Sequence, residues 1–119
     1  MGLCLMLGAL SLSASEKIRI HIISGSKEYK SEQSLKAFVP WWEANYHMTC
    51  TVSWGQDGVK ELQGLEHINQ ADVLFVFARR MKLDEGQMKL IRAHWETGKA
   101  VIGVRTASHA FQAADNELF

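Results

Sequence analysis

Net charge is the first thing missing. Thirteen Lys and Arg residues offset thirteen Asp and Glu residues in a chain of 119. No whole-chain basic surface is available to hold nucleic acid or another polyanion, so no nucleic-acid partner is expected. Cysteine is nearly absent. Cys4 and Cys50 are the two present, and Cys4 falls in a leader-like stretch, which leaves Cys50 alone and excludes a disulfide framework. No run of about 20 apolar residues occurs, so no membrane span is expected. Proline occurs once, at Pro40. His21, His47, His67 and His94 show neither an H-E-x-x-H pattern nor paired spacing, so no metal site is expected. Gly25 belongs to no G-x-G-x-x-G fingerprint, and Ser108 sits in no G-x-S-x-G frame with an Asp placed for a triad. No cofactor is expected.

What is present is an ordinary globular composition, 47% hydrophobic, in a length that suits one small domain with a real core. Residues 1–15 are apolar and small and resemble the central region of a secretory signal, with Ser11 to Ser15 offering small residues for cleavage. A positively charged start is lacking, so an apolar N-terminal strand or helix is the competing reading. On the first reading the protein is secreted or periplasmic, and residues 16–119 form the domain.

Strands and helices then alternate. Lys17 to Ser24 alternates Ile18, Ile20 and Ile22 with Arg19 and His21 and reads as the first strand. Ser31 is placed to cap a helix carrying Leu35, Phe38, Val39, Trp42 and Tyr46 on one stripe, with Pro40 expected to kink it or to open a second short helix. Thr49 to Trp54 is the second strand, and Val59 to Asn69 a short helix carrying Leu62, Leu65 and Ile68. Asp72 to Ala78 is the clearest strand, apolar on both faces as a central parallel strand should be. Asp84 with Gln87 resembles a capping box for a helix lined by Met88, Ile91 and Trp95 and ended by Gly98. Ala100 to Val104 reads as a buried fourth strand, followed by a polar turn and a helix over Ala110 to Ala114. The alternation predicts an α/β fold, an open parallel sheet with helices on both faces. Strand order 2-1-3-4 is expected, with strand four at an edge, which invites association into a homo-oligomer.

In such a sheet ligands bind beyond the carboxyl ends of the strands. The ends of strands one, three and four carry Ser26, Glu28 and Tyr29, then Arg79 and Arg80, then Arg105, Thr106, Ser108 and His109. Arginines suit a carboxylate or phosphate, and hydroxyls and Glu suit sugar OH groups, so a polyhydroxylated or anionic small molecule is the expected ligand. Arg105 binds rather than attacks, because its guanidinium neither loses its charge nor acts as a nucleophile. His109, four residues on and about one helical turn away, is the nearby residue of the type best suited to give or take a proton. Bland readings stand beside these: a solvated strand end for Arg79 and Arg80, and a backbone-bonded helix residue for His109.

Three segments together resemble the trehalose-utilisation (ThuA-like) domain family. They are residues 18–31 with Ser24-Gly25-Ser26-Lys27-Glu28-Tyr29, residues 71–80, and residues 98–111, Gly-Lys-Ala-Val-Ile-Gly-Val-Arg-Thr-Ala-Ser-His-Ala-Phe, the last being the most specific. The resemblance implies the class I glutamine-amidotransferase-like, flavodoxin-like fold. It implies carbohydrate catabolism, often in exported bacterial proteins, on trehalose or a related sugar. Relatives in the superfamily carry a G-x-C-x-G elbow. Laid on Gly103 to Ala107, the cysteine position is Arg105, so glutaminase chemistry is not implied. The family's domain is longer than this chain, which would correspond to its N-terminal part, ending after the fourth strand. The resulting expectation is a domain acting on or binding a sugar-derived small molecule, with Arg105 and His109 at the reacting oxygen and Glu28 and Tyr29 orienting hydroxyls. The rivals are a non-catalytic carbohydrate-binding or interaction module, and an inactive fragment.

Overall fold

Isoleucine on both faces makes the first strand the centre of the protein. The structure, a computed structural model, describes residues 16–111. The leader-like stretch, and Gln112 to Ala114 of the helix expected there, lie outside the described residues. Strand β1 spans Ile18–Gly25. Ile20 and Ile22 face one side and pack on Leu35, while Ile23 faces the other and joins Leu65, Ile68, Leu74 and Val76. Ile22 and Ile23 are fully buried, each contributing about 1.5–3 kcal/mol of burial energy.

Strand β2 (Met48–Trp54) lies on one side of β1, and β3 (Val73–Ala78) on the other, with β4 (Ala100–Gly103) beyond β3. Every pairing is parallel. The order β2-β1-β3-β4 with helices on both faces is a flavodoxin-like open sheet. The chain reverses direction across the sheet at β1, so the carboxyl ends of β1 and β3 flank the switch point where such folds hold ligands.

Helix α1 (Ser31–Asn45) covers one face through Leu35, with Val39 and Trp42 partly buried against it. It runs through Pro40 as one helix, so the second short helix expected there as one alternative does not form. Pro40 and Lys36 are both exposed, and the carbonyl that proline leaves unpaired can be hydrated. Phe38 and Tyr46, expected on the buried stripe, lie exposed on its flank. Ser31 is the first helical residue rather than the cap. Lys30 occupies the cap position in the left-handed region, with no side-chain bond.

The other face is covered by a 3-10 turn, Leu65–Gln70, and by helix α2, Glu85–Glu96. The expected helix over Val59 to Asn69 is reduced to that turn. Gly64 takes a φ of 73° ahead of it, and the backbone of Leu62 is satisfied from afar. The Leu62 N–H donates to Gln87 Oε1 at 2.7 Å, and Gln87 Nε2 donates to the Leu62 carbonyl at 2.8 Å. Asp84 caps α2, accepting from the Gln87 N–H at 2.9 Å. The Gln87 side chain is spent on Leu62, so only half of the expected capping box forms. The buried face of α2 is Met88, Ile91 and His94, and Trp95 is 56% exposed. His94 Nε2 donates to the Ala100 carbonyl at 2.9 Å, which draws His94 rather than Trp95 inward.

Strand β4 is one residue shorter than expected and is not buried. Among the described residues it pairs only with β3, at the edge of the sheet, with Ile102 47% exposed. Beyond β4 the chain enters a 3-10 turn, Arg105–His109. Ala110 and Phe111 do not begin an α-helix. Phe111 instead forms an isolated parallel bridge with Met81.

Cys50 is a free thiol, pushed up to about 11 by burial and then by the Glu43 carboxylate, which makes it a poor nucleophile at neutral pH. Among the described residues no helix is long and apolar enough to cross a membrane, and no three His, Cys, Asp or Glu residues cluster to hold a metal ion.

Candidate functional site

The register brings three strand ends together. Gly25 of β1 pairs with Ala78 of β3, and Val76 of β3 with Gly103 of β4. Backbone bonds then stitch the loops beyond them: Arg79 N–H to the Gly25 carbonyl at 3.1 Å, and Arg80 N–H to the His109 carbonyl at 2.7 Å. The Thr106 hydroxyl donates to the Ala78 carbonyl at 2.9 Å and pins the last turn to the end of β3.

Among the described residues, side chains make three cross-loop contacts here. Arg79 meets Glu28 at 2.8 Å and Asp57 at 3.6 Å, joining the loops after β1, β2 and β3. The Arg105 guanidinium lies 4.5 Å from the centroid of the Tyr29 ring, a cation–π contact that joins the loops after β1 and β4. Glu28, Tyr29, Arg79 and Arg105 are therefore drawn into two couples, each spanning strands distant in sequence.

The turn after β4 is tight and strained. Arg105 has a φ of 53°, a region that a residue with a long side chain seldom occupies. A Cβ on Gly103 would stand 2.7 Å from the Cβ of Ala107, so the turn closes only with glycine at one position and a small residue at the other. A sharp strand-to-helix elbow lifts one side chain off the sheet in this way, and here the side chain is an arginine.

Of the polar residues that follow it in the turn, Ser108 and not His109 shares a wall with Arg105. Arg105 and Ser108 both line a cavity of about 430 Å³ walled by Val76, Trp95, Val101, Gly103 and Ala107. His109 lies outside its wall but reaches it through Ser108, whose Oγ is 2.8 Å from His109 Nδ1. Arg80 is exposed, takes a φ of 50°, and is tied in through its backbone. Ser26 belongs elsewhere. It is 2% exposed, its N–H donates to Ser31 Oγ at 2.9 Å, and it lines a separate cavity at the start of α1.

Trp95 and Asp57 are the residues that sequence reasoning passed over. Trp95 sits seven residues after Met88, a spacing that also marks a core position, and nothing local distinguishes the two uses. Asp57 comes just after strand β2, and only the fold shows that its loop reaches Arg79. Family models, curated proteins and solved structures were all compared with this chain, and none matches it.

Proposed function

We propose that this chain is a ThuA-like α/β domain that binds a sugar-derived small molecule in the groove beside β4. The observation that carries the reading is the wall of that groove, which sets the exposed ring of Trp95 and the apolar Val101 beside Arg105 and Ser108. A sugar ring presents an apolar face and a rim of hydroxyls. An aromatic plane next to a fork of N–H donors and a hydroxyl matches both.

Arg105 grips an oxygen of the ligand with paired donors, and the ring of Tyr29 holds the guanidinium ready. Ser108 offers its hydroxyl, and His109 behind it supplies or takes the proton at Ser108 Oγ. Glu28 and Arg79 brace the neighbouring loops. The second reading is a binding module without turnover. Arg105 itself favours it, since the elbow presents a residue that cannot attack.

Titration of the full chain with trehalose, other disaccharides and keto-sugars, followed by tryptophan fluorescence and calorimetry, tests the reading. Binding that is lost in Trp95→Ala and weakened about tenfold in Arg105→Lys, which keeps the charge and removes the fork, supports it. Absence of saturable binding to all of these sugars overturns it. Product formation from a bound sugar separates the enzyme from the module.

A further inference from the structure

Ser26 holds a hydroxyl that the fold leaves without a partner. Its Oγ is buried and forms no hydrogen bond among the described residues. In extended chain, residues two apart project to the same side, and Ser24 already faces the start of α1, where its Oγ lies 2.9 Å from Ser31 Oγ. Ser26 therefore projects toward the same helix start, and it forms part of the wall of a cavity of about 580 Å³ there. An unmet buried hydroxyl costs free energy, so its persistence beside a cavity calls for an acceptor or donor supplied from outside.

The same cavity lies at the N-terminus of a fifteen-residue helix. The amides of Glu32 and Gln33 have no intrahelical carbonyl to pair with, and the aligned peptide dipoles place partial positive charge there. Lys27, Lys30 and Lys36 line the wall against a single carboxylate, that of Glu32, which Lys36 meets at 2.6 Å. Lys30 holds its place in a left-handed conformation, φ 51°, at the helix cap. A hydroxyl donor, free amides and an excess of ammonium groups are the donor set for a phosphate group.

We infer that the start of α1 is a binding site for a phosphate group, as the free ion or as a small phosphomonoester. The site lies between the ends of β1 and β2, whereas the Arg105 groove lies beside β3 and β4, so this inference does not rest on the sugar reading.

Inorganic phosphate titrated into the full chain, read by phosphorus NMR and by melting temperature, tests it, with chloride at equal ionic strength as reference. Phosphate on the order of 10 mM should raise the melting temperature where chloride does not. Ser26→Ala removes a hydroxyl that serves no protein partner. It should melt at or above the wild-type temperature without phosphate and bind phosphate about tenfold more weakly. Lys30→Asn removes the charge while keeping a residue that tolerates the left-handed position, and should weaken phosphate several-fold. Lys99→Ala, at the far end of the sheet, should leave affinity unchanged. Methyl phosphate identifies the form bound: tighter binding than the free ion assigns a monoester, equal binding the ion. Phosphate that acts no differently from chloride on the wild type overturns the inference. So does wild-type phosphate affinity in Lys30→Asn, or in a folded Ser26→Ala.

Discussion

The guanidinium of Arg105 rests on the ring of Tyr29, 4.5 Å from its centroid, and this contact ties the turn after β4 to the loop after β1. Residues 76 positions apart thereby share one stack, exposed at Arg105 and half-buried at Tyr29, and Arg105 is also held at a left-handed φ of 53°. An exposed cation–π pair contributes about 0.5–1 kcal/mol. A double-mutant cycle with Tyr29→Ala and Arg105→Ala, read by urea denaturation, should return a coupling of that size. Tyr29→Phe should retain most of it, because the ring face and not the hydroxyl makes the contact. A coupling indistinguishable from zero would show that the two loops are independent.

A second relationship lies inside the sheet. His21 is fully buried, with Nδ1 2.7 Å from Thr51 Oγ1 and Nε2 2.9 Å from Ser53 Oγ. The Ser53 hydroxyl gives its one proton to the Gln63 carbonyl at 2.8 Å. Ser53 can then only accept from His21, which fixes the neutral ring with its proton on Nε2 and makes Nδ1 the acceptor of the Thr51 hydroxyl. Burial, and after it the neighbouring His67, lowers the His21 pKa from 6.5 to about 4. The unfolded chain binds this proton more readily than the folded one. The contribution of His21 to stability is therefore complete above pH 6.5 and is lost as the pH falls toward 4. With about 1.4 kcal/mol per pH unit per proton, the loss from this residue amounts to roughly 3–4 kcal/mol. Nitrogen NMR of the histidine rings should show an Nε2–H tautomer for His21 that resists protonation down to about pH 4. Titration of that ring at the ordinary histidine value in folded protein would contradict the assignment.

Gln87 and Asp84 make different demands on the same helix start. Asp84 satisfies one N–H, that of Gln87, whereas the Gln87 side chain satisfies both backbone groups of buried Leu62. Loss of a cap costs about 0.5–2 kcal/mol, and each buried group left unpaired costs about 1–3 kcal/mol. Gln87→Ala should therefore destabilise more than Asp84→Ala in equilibrium unfolding. The opposite order would mean that water replaces the Gln87 amide at Leu62 without loss.

These cases mark how far the sequence can be read. The strands were legible because isoleucine and valine alternate or run unbroken, and their alternation with helices points to parallel pairing. The Asp84 cap and the Gly98 stop were legible because both are local. The segment before Leu65 was not, since its backbone is satisfied by Gln87, 25 residues away. The phase of α2 was not either, because a bond from His94 to the Ala100 carbonyl turns His94 inward and sets Trp95 beside Arg105. At the site, Tyr29 and Arg105 stood out by residue type, but their stacking needs two loops to meet. The partnership of Arg105 with Ser108 needed the path of the turn, in which Arg105 takes a left-handed φ that its residue type does not announce.

The elbow offers the sharpest test of the local geometry. A Cβ at position 103 would lie 2.7 Å from the Cβ of Ala107, and both atoms are fixed to backbone, so neither can swing aside. Gly103→Ala should therefore force the turn open and cost roughly 1–3 kcal/mol, as overpacking does elsewhere. The φ of Gly103 is not in the left-handed region, so the cost is one of space and not of backbone conformation. Ala107→Gly removes the opposing atom. Alone it should cost about 1 kcal/mol or less, the entropic cost of a glycine. Combined with Gly103→Ala it should restore most of the lost stability, leaving a double variant more stable than Gly103→Ala. Urea denaturation of the two single variants and the double variant measures this directly. If the double variant is less stable than either single one, the Gly103–Ala107 approach does not shape the turn that presents Arg105.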